Sequence, residues 1–374
     1  MARETVAKGS ALTGSSGACR DAQTFENEGV RVRSVESCLL CGLQGQPLYT
    51  GFRDRLFEAP GVWALFRCSN CSLVWLTPRP LPEDIGKLYK GYYTQNFDPP
   101  PVPRRAFRGK LMRAVLATKF GYAHLLPSGA SRWLGRCAAF LPLARDWAGS
   151  SVMFLKRGKG SRLADLGCGD GRFLAMMQDL GWEVEGLEPD PQAARIAREC
   201  RGVRVHVGTV EEMNLAPESF DAITMCHVIE HLHDPVAALK RCHRSLRPGG
   251  SLVVVTPNVA SLGHRYFRRC CYHLEPPRHL FLFSVATLRA LAVATGFEVE
   301  VLRTKSTLSR DVYIGSRGIK LGSRMSWPHV PISVDTASWA FLLVEEAIRF
   351  VRADVGEELV MLAVKRGMNA GGSA

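Results

Sequence analysis

One short segment constrains the fold more than any other. Leu163-Ala-Asp-Leu-Gly-Cys-Gly-Asp-Gly-Arg-Phe173 carries an apolar strand into a turn with glycines at 167, 169 and 171. The helix-like Phe173-Leu-Ala-Met-Met177 follows, and a second apolar run ends in Leu187-Glu188-Pro189-Asp190. Glu188 stands 21 positions after Gly167. Strand, glycine turn, helix and strand in that order predict a βαβ unit built to hold a nucleoside. The glycines let the backbone approach a ligand closely, and an acid at the tip of the second strand can accept hydrogen bonds from both ribose hydroxyls.

Two details select the nucleoside. Asp165 sits inside the first strand, two residues before Gly167, where a carboxylate suits an ammonium and a sulfonium and repels a pyrophosphate. The spacing is Asp-x-Gly-x-Gly-x-Gly and not Gly-x-Gly-x-x-Gly. Here the chain resembles the class I S-adenosylmethionine-dependent methyltransferases, and the likeness continues in order over roughly 160–306. Gly208-Thr-Val-Glu-Glu212 is similar to the family's adenine-side loop and Phe220-Asp-Ala-Ile-Thr-Met-Cys226 to its fourth strand. Glu230-His-Leu-His-Asp-Pro235, Arg247-Pro-Gly-Gly250 and Ser251-Leu-Val-Val-Val-Thr256 match the segments that follow. The resemblance implies an α/β fold: a Rossmann-like seven-stranded sheet with helices on both faces. It also implies S-adenosylmethionine held by Asp165, Gly167, Gly169, Gly171, Glu188, Thr209, Val210 and Cys226. Thr209 departs from the Asp that many relatives use for the adenine amino group, which moves that contact to the backbone of Val210.

Cysteine use points to metal. Cys38-Leu-Leu-Cys41 and Cys68-Ser-Asn-Cys71 are two Cys-x-x-Cys pairs separated by 26 residues. That spacing lets four thiolates enclose one tetrahedral zinc ion with no open position, so the ion is expected to be structural. The amino terminus has no apolar core of a secretory signal, so reduced thiols and a cytoplasmic location are expected. With Leu73-Val-Trp-Leu-Thr-Pro78 and Tyr89-x-x-Tyr92-Tyr93, this module resembles that of bacterial methyltransferases with an amino-terminal zinc ribbon. Members of that group act mostly on sugars, polysaccharide precursors and secondary metabolites, which implies a small-molecule or lipid-linked acceptor.

The net charge of +13 is concentrated. Residues 100–162 hold thirteen Lys or Arg and one acid, Asp146. Apolar residues at helical spacing, from Phe107 to Phe120 and from Trp133 to Trp147, predict two basic amphipathic helices. They suit a helical lid with a solvated basic face, an anionic membrane surface at the inner face of the membrane, or an anionic substrate. Nucleic acid ranks last, because no nucleic-acid module is visible. No apolar run is long enough to span a bilayer. Nothing in the sequence bears on oligomeric state.

Methyl transfer needs an aligned nucleophile and, for a hydroxyl, a base. His231, oriented by Glu230 or another acid, is the candidate catalytic residue; His227 lies beside it on the acceptor side. A metal held by His227 and His231, four apart on a helix, is a weaker alternative, since the pattern straddles a strand end. In the resembled family the loop after strand five closes over the acceptor, so His264, Tyr266, Arg278 and His279 are the substrate-side candidates. The expected organisation is a disordered tail over 1–35, a zinc ribbon over 36–80 and a basic helical lid or linker over 81–158. A methyltransferase domain over 159–368 follows, with a cap or dimer insertion over 307–357, then a tail over 369–374. The expected reaction is O-methylation of a carbohydrate-type, lipid-linked or secondary-metabolite acceptor. C-methylation of a keto-sugar nucleotide is one alternative, and a non-catalytic cofactor-binding zinc scaffold is the other.

Overall fold

A computed structural model describes residues 24–89, 109–125, 136–138, 140–158, 160–322 and 335–367. The chain opens with a hairpin, β1 (Thr24–Asn27) and β2 (Val30–Arg33), whose turn holds Gly29 at φ +85°. This corrects the expectation of a disordered tail through residue 35: Val30 and Val32 point into the core and are fully buried. Residues 1–23 of that tail lie outside the described residues.

Next come β3 (Gly45–Phe52), β4 (Trp63–Cys68), β5 (Val74–Thr77) and the short β6 (Arg79–Pro80). β3, β4 and β5 form an antiparallel sheet carrying the two cysteine pairs at its end, and β6 pairs with β2. A short helix α1 (Ile85–Leu88) then leads to Tyr89.

The two basic helices are α2 (Lys110–Lys119) and α3 (Pro142–Ser151). They do not form a separate lid. Met112, Val115 and Leu116 of α2 and Ala148 of α3 pack in one cluster with Leu163, Ala222, Val253, Val255 and Val360 of the central sheet. The physical reason is the apolar stripe of each helix, which buries against the sheet; α2 leaves Lys119 to water, whereas α3 leaves Leu143 and Trp147 there. The expected boundary at residue 158 therefore cuts through one continuous core. Lys159, residues 90–108, 126–135 and 139, and the side chain of Lys110, lie outside the description. Much of the expected basic helices, with Tyr92 and Tyr93, falls there.

The central sheet is built from β7 (Arg162–Leu166), β8 (Glu183–Glu188), β9 (Arg204–Val207), β10 (Phe220–Cys226) and β11 (Leu246–Pro257). The two-residue β12 (Phe281–Leu282) leaves this sheet, and β13 (Phe297–Lys305) and β14 (Glu358–Lys365) complete it. Its order is β13-β14-β11-β10-β7-β8-β9, with β14 antiparallel to both neighbours. Helices α4 (Arg172–Asp179), α5 (Pro191–Arg201), α6 (Pro235–Ser245) and α8 (Val285–Ala294) fill the crossovers. Between β11 and β12 the chain forms α7 (Leu262–Phe267); the insertion before β14 folds as α9 (Ser309–Lys320) and α10 (Thr336–Val351). Residues 323–334 of that insertion and 368–374 of the expected tail are outside the description.

Alternation along the strands sorts the core into two faces. Ala164, Leu166, Ile223, Met225, Leu252 and Val254 face α6, α8 and the cysteine module. Their neighbours Leu163, Ala222, Val253 and Val255 face α2 and α3. Strand order reverses between β7 and β10, and a crevice at the carboxyl ends of strands about such a switch point is where open α/β sheets bind ligands.

Candidate active site

Asp165 and Thr224 lie opposite one another across the β7–β10 switch point. The Thr224 hydroxyl donates to Asp165 Oδ1 at 2.6 Å, and both residues are buried. Burial raises the Asp165 carboxyl to about 7; the Thr224 hydrogen bond opposes this and the charge of nearby Glu188 adds to it. Glu188, at the tip of β8, accepts from the backbone of Gly169 at 2.8 Å and of Asp190 at 3.0 Å. Its carboxyl is also raised by burial. Two neighbouring acids, both raised by burial, suit a cationic ligand, whose charge would relieve both.

The glycine turn explains itself locally. Gly167, Gly169 and Gly171 have φ of +75°, +55° and +73°. At Gly171 a Cβ would come within 2.7 Å of Ala197 of α5, so glycine also permits helix packing there. At Gly169 a Cβ would meet nothing within 4 Å, so that glycine faces open space beside Glu188. Thr209 and Val210 follow β9 as expected. The Thr209 hydroxyl donates to Glu212 at 2.9 Å, and Val210 is buried. Cys226 ends β10 and is exposed, yet protein crowds it enough to raise its thiol, as on a cleft wall.

His227 sits at φ +55°, which turns its ring back between two carboxylates. Nε2 lies 3.0 Å from Glu358 and Nδ1 lies 3.4 Å from Glu230. Burial opposes its charge, but the two acids outweigh burial and hold it well above the usual histidine range. Both ring nitrogens are therefore committed. Glu358 also receives Lys305 at 3.0 Å and the Thr307 hydroxyl at 3.1 Å. Thr224, Lys305 and Glu358 escape a motif reading. Only Thr224 carried a signal, as a polar residue inside the apolar run of β10.

His231 does not form the expected pair with Glu230. Its Nδ1 lies 3.0 Å from the Arg278 carbonyl and 3.1 Å from the Tyr89 hydroxyl. A carbonyl only accepts, so the hydrogen-bond network assigns the proton to Nδ1 and a lone pair to Nε2. Burial, with His279 adding, pushes the ring down to about 4, and nearby acids counter it only in part. Glu230 instead accepts from Thr256 at 2.9 Å and faces His227. Burial opposes its ionisation, but His227 and the neighbouring imidazoles bring it to about 2.

Arg278 is not placed for a substrate. Its side chain is fully buried, and its guanidinium bonds Asp54 through both terminal nitrogens at 2.7 and 3.1 Å. Its Nε donates to Glu275 at 2.8 Å. His279 is buried too, with Nδ1 donating to the His273 carbonyl at 2.8 Å. His264 contacts the Tyr49 hydroxyl of β3 at 3.1 Å. Of the five expected substrate-side residues, His227 included, Tyr266 alone is largely exposed, at 64%. It stacks in a cluster with Phe267 and Phe341 that joins α7 to α10.

These contacts tie the loop to the cysteine module. β12 pairs with β5, so Phe281 and Leu282 extend the module's sheet. The cysteines form two matching knuckles: Gly42 N–H donates to Cys38 O and Ser72 N–H to Cys68 O, with Gly42 and Ser72 both at positive φ. Sulfur separations are 3.4 Å for Cys38–Cys71 and Cys41–Cys68, and 3.9 Å for Cys41–Cys71. Zn–S bonds of about 2.3 Å in a tetrahedron put sulfurs about 3.8 Å apart. The four thiols thus fit such an ion and are too far apart for disulfides.

Residues 142–302 match a family model described as a methyltransferase domain. A ubiquinone biosynthesis O-methyltransferase of Xanthomonas campestris pv. campestris is 31% identical over 144 residues, covering 35% of this chain and 59% of that protein. One from Cereibacter sphaeroides is 37% identical over 105 residues, covering 27% and 42%. The chain thus spans about half the length of the curated relatives it matches. Similar solved structures include a methyltransferase of Thermotoga maritima, described as a possible histamine N-methyltransferase, with TM-score 0.39 and 24% identity over 67% of this chain and 99% of that one. An S-adenosylmethionine-dependent methyltransferase of Mesorhizobium loti has TM-score 0.41 and 20% identity, covering 58% and 96%.

Proposed function

The chain carries a class I S-adenosylmethionine-dependent methyltransferase domain, and we propose that it moves a methyl group from that cofactor to an oxygen of a carbohydrate-type, lipid-linked or secondary-metabolite acceptor. The observation that carries the cofactor half is the pair of acids, Asp165 and Glu188, both buried on either side of the open glycine turn. When bound, the cofactor supplies a methyl group on a sulfonium that leaves as a neutral thioether. The chain's own residues must bind, align and exclude water. Asp165 faces the cationic end and Glu188 the ribose, while Thr209 and Val210 flank the adenine. Cys226 and His227 line the floor, with His227 held rigidly between Glu230 and Glu358.

Oxygen as the methylated atom draws support from the curated relatives, which are named O-methyltransferases. On the acceptor side, the exposed Tyr266 and the aromatic cluster with α10 form an apolar, ring-lined wall suited to a sugar or a lipid-linked head. A proton-accepting role for His231 is poorly supported by a ring whose basicity burial has lowered to about 4. The four-thiolate cluster is read as a structural zinc site held by Cys38, Cys41, Cys68 and Cys71.

A lipid-linked acceptor draws support from one surface. Phe140, Leu141, Leu143 and Trp147 are exposed at and before α3, at 86%, 61%, 37% and 55%, and Arg136, Lys156 and Arg157 are exposed nearby in sequence. Apolar tips among basic residues suit an anionic membrane surface. No helix among the described residues is long and apolar enough to cross a membrane. Co-sedimentation should require anionic vesicles and weaken at high salt; equal binding to neutral vesicles, or none, would remove this part.

The reaction is tested by titrating the full chain with S-adenosylmethionine, then assaying S-adenosylhomocysteine release with a panel of hydroxylated acceptors. Failure to bind the cofactor sinks the whole reading. Binding without release on any acceptor favours the scaffold, and a carbon-methylated product on a keto-sugar nucleotide favours the other enzyme.

A further inference from the structure

Behind His227 lies a second group of metal-binding side chains, separate from the four cysteines. One ligand atom from each of Glu230, His231 and His279 lies within 4.8 Å of the others. The two imidazoles come from different parts of the chain: His231 from the turn after β10, His279 from the loop that enters β12. Their rings sit 4.8 Å apart, centre to centre, at 68°.

Three independent observations point to a cation here. First, each ring is anchored the same way: His231 Nδ1 donates to the Arg278 carbonyl at 3.0 Å and His279 Nδ1 to the His273 carbonyl at 2.8 Å. A backbone carbonyl on one ring nitrogen is the arrangement that orients the other for a metal, because it fixes the tautomer and leaves the lone pair on Nε2. Second, Glu230 is fully buried, and its Oε1, facing the His227 ring at 3.4 Å as an ion pair, has no closely aligned donor. Its other oxygen is oriented by Thr256 at 2.9 Å, as a ligating carboxylate's usually is. Third, no proton joins the set efficiently. Glu275 Oε2 is 3.7 Å from His279 Nε2, beyond hydrogen-bond range, and its Oε1 is taken by Arg278.

We propose that Glu230, His231 and His279 bind a divalent cation of the zinc class. Two imidazoles and one carboxylate favour zinc or a neighbouring transition ion over magnesium or calcium. Bonds of about 2.0 to 2.2 Å place ligand atoms about 3 to 4 Å apart, and the three ligand atoms here lie within 4.8 Å of one another. Three protein ligands leave a position for a water or an acceptor oxygen, unlike the closed four-thiolate site. The ion would clamp the loop of β12 to the turn after β10. The site stands on these contacts alone and does not depend on which acceptor is methylated.

The test is metal stoichiometry on the full chain, stripped with chelator under reducing conditions and titrated with zinc. The wild type should take up two equivalents. His279→Asn should take up one, because the asparagine amide can still donate to the His273 carbonyl but offers no Nε2; His231→Asn should do the same. Cys68→Ser should lose the other equivalent. Two equivalents in both histidine variants, or a single one in the wild type, overturns the proposal. Cobalt gives a check that needs no variant. The first ion should bring thiolate-to-cobalt charge transfer, and the second should add d–d absorption without it. A spectrum that saturates after one equivalent also overturns the site. Cofactor binding measured on the same samples reports on the methyltransferase reading separately.

Discussion

Arg278 and Asp54 meet in a fully buried, two-pronged ion pair, with Arg278 Nη1 2.7 Å from Asp54 Oδ2. One partner comes from the loop expected to cover the acceptor, the other from the turn between β3 and β4. Asp54 also accepts from the backbone of Leu56, Phe57 and Ala59, so it shapes its own turn before it meets the arginine. The pair fastens the cysteine module to the loop that precedes β12.

Breaking that pair should be costly. Removing one partner of a buried pair leaves an uncompensated charge, worth about 3 to 5 kcal/mol. Arg278→Met and Asp54→Ala should each lose about that much in urea unfolding: the first strands Asp54 and Glu275 together, and the second leaves Arg278 to Glu275 alone while three backbone donors lose their acceptor. The double variant Asp54→Leu/Arg278→Met should recover part of the loss. Single variants as stable as the wild type would show that the pair does not fasten the module.

Asp165 should make cofactor binding depend on pH. Its carboxyl is raised to about 7 chiefly by burial. Above that pH it is charged and attracts the cofactor's ammonium; below it the proton cancels the attraction. Affinity measured calorimetrically should therefore fall as pH drops from 8 to 6. Thr224→Val removes the hydrogen bond that lowers the carboxyl and should move the fall to higher pH. Asp165→Asn should bind more weakly by on the order of tenfold to a hundredfold, from a charged hydrogen bond worth about 1.5 to 3 kcal/mol.

Stripping the four-thiolate site should be felt at a distance. β12 belongs to the same sheet as β4 and β5, so the module and the loop share hydrogen bonds. Cys38→Ser, or chelation, should lower the melting temperature and raise amide exchange over residues 63–77 and at 281–283 together. Exchange confined to the module would mean that the two move independently.

Two acids should limit stability at high pH. Glu345 and Glu357 are fully buried, and the Glu357 N–H donates to Glu345 at 3.2 Å. Burial, with the charge of Glu357 adding, raises Glu345 to about 9. Burial raises Glu357 to about 7, partly offset by hydrogen bonds from Ser261 and Gly263. In the unfolded chain both ionise near the ordinary carboxyl value of 4.5. The folded state thus binds more protons above that pH, and stability falls as pH rises toward 9. Glu345→Gln should flatten the fall in thermal melts run from pH 5 to pH 9. An unchanged slope would remove Glu345 as its source.

The sequence by itself determined the glycine turn and the two acids that flank it. A glycine turn, a strand acid and a tip acid are local features, and each is constrained by backbone geometry within a few residues of itself. The two cysteine knuckles are local in the same sense. Tertiary structure alone decided the partners of the residues expected on the acceptor side. Arg278 reads as a substrate contact until the chain returns Asp54, 224 residues away in sequence, to neutralise it. Helices α2 and α3 read as a lid until their apolar stripes meet the sheet face of Val253 and Val255. Glu230 and His231 read as a pair until the Arg278 carbonyl takes one ring nitrogen and His279 arrives beside the other. A charged or titratable side chain has no fixed role in a sequence, because its role depends on which partners the fold brings within hydrogen-bond reach.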